Sequence, residues 1–255
     1  MRLWSILILL MAASANATAD DRVRGERGVV IDITDSGGLI VETETGERLN
    51  VRVAAIRQPD IDEPLHAAAN TALVDAAGAA AVSLSYDGEH RRDRYDRAIA
   101  YVDMEGGGDL SARLVESGWA IVYSTRDARA DIEALLALEG EARQHGRGLW
   151  SDPAFQVRTA DPNGLALWLD SVQIVEGRVI STAQTRERIY LNFGFDYRSD
   201  FTVSVDNEAF ERFAAAGIDL LDLQDVTVRV RGWLHRRNGP MIAIDHPERL
   251  EILGP

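Results

Sequence analysis

Two short segments hold the residues best suited to chemistry. The first, Arg52-Val53-Ala54-Ala55-Ile56-Arg57-Gln58-Pro59-Asp60, brackets an apolar run with arginines and ends on a carboxylate; the second sets Arg91, Arg92, Arg94 and Arg97 among Asp93, Tyr95 and Asp96. A guanidinium is planar, permanently charged and offers a fork of donors that matches phosphate oxygens, so Arg52 and Arg97 suit gripping a phosphate and stabilising charge as it develops. Arg94 beside them suits a nucleic-acid backbone, and Asp60 is the kind of group that positions or deprotonates water. The competing reading of the second segment is a solvated turn in which the arginines pair with Asp93 and Asp96.

These residues need a scaffold, and the period of the apolar residues supplies one. Residues 28–34 and 39–43 are β-branched runs parted by Asp35-Ser36-Gly37-Gly38, and Glu44-Thr45-Gly46-Glu47 separates the second run from 48–56. That pattern predicts a three-strand meander. Alanine-rich 64–80, opened by Pro64, predicts a helix. Residues 82–86 and 98–103 predict strands, and 109–117 and 131–145, stopped by Gly118 and Gly146, predict two helices.

With these elements in place, 28–150 resembles the staphylococcal nuclease (thermonuclease) family. Arg52, Pro59 and Asp60 fall on its first arginine motif, and Tyr95-Asp96-Arg97 falls where the family has Tyr-Gly-Arg before an apolar strand. The resemblance implies a five-stranded OB-type barrel, with Arg52 and Arg97 on phosphate and Asp60 in place of the glutamate that handles water. It also implies calcium held by aspartates. Here the sequence departs: Arg57 stands at one aspartate position, an ungapped count brings Gly38 to the other, and Asp35 is the nearby carboxylate that a remodelled turn could supply. A hard cation needs several oxygen ligands, and a guanidinium repels it. No cofactor is expected, or calcium if the nuclease site functions.

Asp152-Pro153 and Asp161-Pro162-Asn163-Gly164 punctuate the chain after this unit. The division predicted is 1–19 a signal, 20–152 the nuclease-like domain, 153–164 a linker and 165–255 a second domain. Strands at 172–180, 188–193, 201–205, 226–234 and 241–244, with a helix at 207–216 and a turn at Asn238-Gly239, follow the order of a second OB-like barrel. The fold class is therefore mainly β with helices, α+β. Phe193, Phe195 and Tyr197 share one parity; rings of this kind commonly fill a small barrel, and Trp233 is expected in that core. The alternative is a base-stacking surface, with Tyr197 beside Arg198, Arg236 and Arg237 as nucleic-acid contacts.

Composition bounds the partners. Formal net charge is −14, all basic residues are arginine, and there is no cysteine. A broad positive field of the sort that drives non-specific nucleic-acid binding is excluded, so any phosphate contact must be local. The five histidines, His66, His90, His145, His235 and His246, lack zinc spacing. Arg2, an apolar run and small residues to Ala19 read as an export signal, which predicts a periplasmic or secreted protein with no membrane span after cleavage. Two functions follow: an exported binding protein for single-stranded nucleic acid or another extracytoplasmic ligand, or an extracytoplasmic phosphodiesterase with weak or altered metal dependence. Oligomeric state has no signature in the sequence.

Overall fold

A computed structural model describes residues 22–88 and 90–254; the segment read as a signal lies outside them. The first half runs β1 (Val23–Ile33), β2 (Leu39–Thr43), β3 (Arg48–Val53), β4 (Ile56–Arg57), α1 (His66–Ala77), β5 (Ala81–Tyr86), β6 (Ala98–Met104), α2 (Leu110–Glu116), β7 (Ile121–Val122) and α3 (Ile132–Gln144). Strands β1-β2-β3-β6-β5 close into a barrel, with β3 and β6 parallel and β5 returning to β1. Alternation along β2, with Leu39 and Val41 buried and Glu42 exposed, sends every second side chain inward as a half-buried strand requires. Asp109 caps α2 by accepting from the Ala112 amide.

Differences from the predicted boundaries have local causes. β1 begins at Val23 because its first residues pair with β5. β3 stops at Val53, where the chain turns through Ala55 at φ 63°, and the first helix starts only after Leu65 at φ 60°.

The second half runs β8 (Arg158–Thr159), α4 (Pro162–Leu165), β9 (Ser171–Arg178), β10 (Ser181–Gln184), β11 (Arg188–Asn192), β12 (Thr202–Asp206), α5 (Asn207–Ala215), β13 (Thr227–Arg237), β14 (Gly239–Ile244) and β15 (Leu250–Gly254). The sheet order is β10-β11-β12-β14-β13-β9-β8, with β15 beside β13. Its two arms, β9 and β10, are consecutive chain broken at Val179 and Ile180. The Val179 amide donates to the Val226 carbonyl and the Ile180 amide to the Asn192 carbonyl, on opposite flanks. Counted as one strand, they give the first barrel's order again, and here too the third and fifth strands are parallel. The segment expected as a linker has regular structure: β8 pairs with β9, and Arg158 stacks on Trp168 at 3.7 Å.

Each half has its own apolar core, and a third cluster containing Ile121, Leu149, Trp150 and Ile174 joins them. Through this junction passes Arg231 of β13, fully buried. Its guanidinium meets the equally buried Glu139 carboxylate of α3 at 3.0 Å, donates to the Val122 carbonyl at 2.8 Å and reaches Glu251 at 2.7 Å. Glu139 also accepts from the Val122 amide. A second tie runs Ser124 Oγ to His246 Nε2 and His246 Nδ1 to Asp245, both at 2.7 Å. The order is that of a nucleophilic triad, but Ser124 and His246 are both fully enclosed, so no substrate reaches the hydroxyl and the chain acts as a strut. Removing Glu139 takes the bidentate partner from a fully buried charge and leaves it only Glu251 and the Val122 carbonyl, so Glu139→Ala should cost about 3 kcal/mol. Denaturant unfolding checks this, and a loss below about 1 kcal/mol would show that the pair does not hold the junction.

Candidate functional site

The two arginine segments meet at one cleft of about 740 Å³, open on one side. Arg52 sits between the buried Val51 and Val53 on β3, so alternation turns it out of the barrel and into the cleft. Arg97 closes the turn before β6, whose Ile99 pairs with Arg52 across the parallel ladder. Asp93 organises that turn. One of its oxygens accepts from the Tyr95 and Arg97 amides and the other from Arg97 Nε at 2.8 Å. Asp96 takes φ 61°, a left-handed conformation natural for glycine and tolerated by aspartate.

The electrostatics concentrate positive charge in the cleft. Among the described residues the Arg52 side chain has no hydrogen-bond or ion-pair partner. Burial, then the Arg97 guanidinium, push its pKa below the ordinary arginine value, with Asp93 partly compensating. Burial pushes Asp93 up, but hydrogen bonds from the Arg97 and Tyr95 amides and from the Arg97 side chain outweigh it and hold Asp93 below the usual aspartate value. Arg94 lines the same cleft and lies over the exposed Tyr95 ring at 4.7 Å. The solvated-turn pairings are present as well: Arg97 with Asp93 at 2.8 Å and Arg92 with Asp96 at 3.4 Å. Pairing and cleft lining thus coexist in Arg97.

Asp60 also lines the cleft, yet its carboxylate is engaged by Arg57 at 2.8 Å. The same guanidinium, largely buried, reaches Glu63 at 2.5 Å, and Glu63 accepts from the Asp60 amide. Glu63 lies before the helix, folded back on Arg57, a contact that no helical or strand spacing signals. Ser36, Gly37 and Gly38 line the cleft, whereas Asp35 is exposed and outside the lining. Among the described residues no three His, Cys, Asp or Glu side chains gather as a cation site. Arg57, which the resemblance aligns with a calcium aspartate, is instead a cation paired with two carboxylates.

In the second half the rings divide. Phe193 packs against the core and meets Phe201 at 4.9 Å, as barrel filling predicts. Phe195 is 98% exposed and Tyr197 59%, with Arg198 over the Tyr197 ring. These two rings do not fill the barrel, because they ride the loop between β11 and β12 rather than a strand face. Trp233, expected in the core, is 48% exposed: it falls on the outer face of β13, the parity of Arg231, and not on that of the buried Leu234. Arg236 and Arg237 are exposed at the end of β13.

Comparison with known proteins gives one consistent result. The family described as staphylococcal nuclease homologue matches residues 50–152. An uncharacterized endonuclease of Escherichia coli O157:H7 is 27% identical over 141 residues, covering 55% of this chain and 83% of its own. A micrococcal nuclease of Shigella flexneri is 29% identical over 138 residues, 51% of this chain and 76% of its own. The matched span contains Arg52, Asp60 and Arg97 but lies wholly within the first half. Residues 50–152 of this chain therefore form a domain of the staphylococcal nuclease homologue family.

Proposed function

We propose that the chain is an exported, nuclease-derived protein that holds a phosphodiester of single-stranded nucleic acid in the arginine cleft and does not hydrolyse it efficiently with calcium. The observation that carries this reading is the Arg57 guanidinium bonded to Asp60 and Glu63. It places positive charge where the family keeps a metal and occupies the carboxylate nearest the role of base. Arg52, unpaired and crowded by Arg97, gains most from an anion, because a phosphate relieves both the burial and the like-charge cost. Arg94 and Tyr95 extend the grip at the rim. A second reading, a phosphodiesterase with altered metal dependence, draws on Arg52, Asp60 and Arg97 lining one cleft and on the nuclease names of the relatives.

Two experiments separate the readings. Charge-assisted hydrogen bonds contribute about 1.5–3 kcal/mol each, so Arg52→Ala or Arg97→Ala should weaken binding of a labelled single-stranded DNA roughly tenfold to a hundredfold. Anisotropy titration at fixed ionic strength measures this. The same preparations, incubated with DNA and RNA in calcium, should show little cleavage; efficient cleavage that EDTA abolishes and Arg97→Ala removes would favour the phosphodiesterase.

The metal argument has its own test in the double substitution Gly38→Asp with Arg57→Asp. It removes one guanidinium, adds two carboxylates and releases Asp60 and Glu63. A side chain at Gly38 would press on Asn50 Oδ1 at 2.9 Å and Thr34 Oγ1 at 3.0 Å, both movable side-chain ends. Calorimetry should record calcium binding stronger than the parent's by at least about tenfold, since ligand charge tunes such sites. A folded double variant without that gain would mean that these positions never faced a shared metal.

A further inference from the structure

The junction between the halves places part of the second barrel at the mouth of the cleft. Val172 of β9 lines the cleft with the arginines, although every other lining residue comes from the first half. Its direct cross-strand partner is Trp233 of β13. Directly opposed residues share one sheet face with Cβ atoms roughly 4.5–5.5 Å apart, so the indole stands beside the cleft wall. The preceding pair on that face, Ile174 with Arg231, is buried in the junction. The face thus emerges from the interface between Arg231 and Trp233, and Trp233 is its first exposed side chain.

Beyond Trp233, the same parity brings His235 and then Arg237 about 14 Å further along β13. Arg237 and its neighbour Arg236 have no ion-pair partner among the described residues. At the strand's end the turn at Gly239 lies so close to the Ser199 and Asp200 carbonyls that no side chain would fit there. The loop bearing the exposed Phe195, Tyr197 and Arg198 therefore abuts the hairpin bearing Arg236 and Arg237. A path of alternating flat apolar surface and fixed positive charge leads from the cleft across the second barrel. On a chain of formal net charge −14, such a row is a local exception.

We infer that Trp233 is a base-stacking subsite adjoining the phosphate cleft, and that β13 carries the continuing strand of a single-stranded oligonucleotide toward Arg237 and the 195–198 loop. The occupant is single-stranded because stacking on an indole needs an unpaired base face, and a run of phosphates matches the arginines at either end. This subsite rests on the reading of the cleft as a phosphodiester site.

The test compares the full chain with its Trp233→Ala, Trp233→Phe and Arg97→Ala variants, using a labelled ten-nucleotide oligothymidylate and, separately, a 5′-phosphorylated dinucleotide. Loss of one stacked base corresponds to roughly a fivefold to hundredfold weakening, so Trp233→Ala should weaken the ten-mer by that factor and leave the dinucleotide unchanged. Trp233→Phe should retain most of the affinity, and tryptophan emission quenched by the ten-mer in the parent should be quenched less in Trp233→Phe. If Arg97→Ala weakens the ten-mer while Trp233→Ala binds it as the parent does, the subsite is wrong and the cleft reading stands. If the parent binds neither oligonucleotide, the cleft reading fails and takes the subsite with it. Weakening by Trp233→Ala without any effect of Arg97→Ala overturns the continuity between them. Should Trp233→Ala prove unfolded by melting temperature, Trp233→Phe and the quenching measurement decide alone: unchanged quenching overturns the proposal.

Discussion

The arrangement of this molecule depends on a single buried charge. Arg231 leaves the second sheet, crosses an apolar junction and ends on Glu139 and on the Val122 carbonyl in the first half. Unlike apolar packing, a bidentate guanidinium contact fixes an angle as well as a distance. The two barrels therefore hold one orientation, and the residue two places along β13 is held at the edge of the first barrel's cleft. Ser124, His246 and Asp245 reinforce the same geometry from the other end of the junction.

The cleft itself shows how an acidic chain holds a cluster of positive charge. Its arginines are not left to repel one another in solution: Asp93 is buried among hydrogen bonds that both hold its charge and aim Arg97. Arg57 is neutralised by Asp60 and Glu63, which leaves Arg52 and Arg94 as the lining cations without an ion-pair partner among the described residues. Local organisation thus does what a general positive field does elsewhere.

Much of the first barrel was legible because its strands alternate cleanly and its turns carry glycine where the backbone needs it, as at Gly37 with φ 73°. The motif residues Arg52, Asp60 and Arg97 were legible for the same reason, since strand parity and a fixed turn bring them together. The contacts that decide the chemistry were not. Glu63 on Arg57 follows from a backbone fold-back before α1, and Arg231 on Glu139 joins residues from opposite halves that no local period relates. The outward position of Trp233 was in principle readable from its alternation with Leu234. Its aromatic type pointed to a core instead, and only the position of the junction shows why an indole is left at the surface. The final strand, β15, gave no separate signal because it is a short edge piece laid against β13.

That all the basic side chains of the cleft are arginine has a consequence for how the protein meets its surroundings. A lysine or histidine site would change charge over some range of acidity, but guanidinium groups do not release their protons under conditions in which a protein stays folded. The guanidinium charge lining the cleft is therefore steady across the neutral range. Dissolved ions, which screen exposed charges within about 10 Å at moderate concentration and compete for the same guanidinium groups, become the variable that sets its effect. Any anion drawn to this charge would therefore respond to the saltiness of its surroundings more than to their acidity.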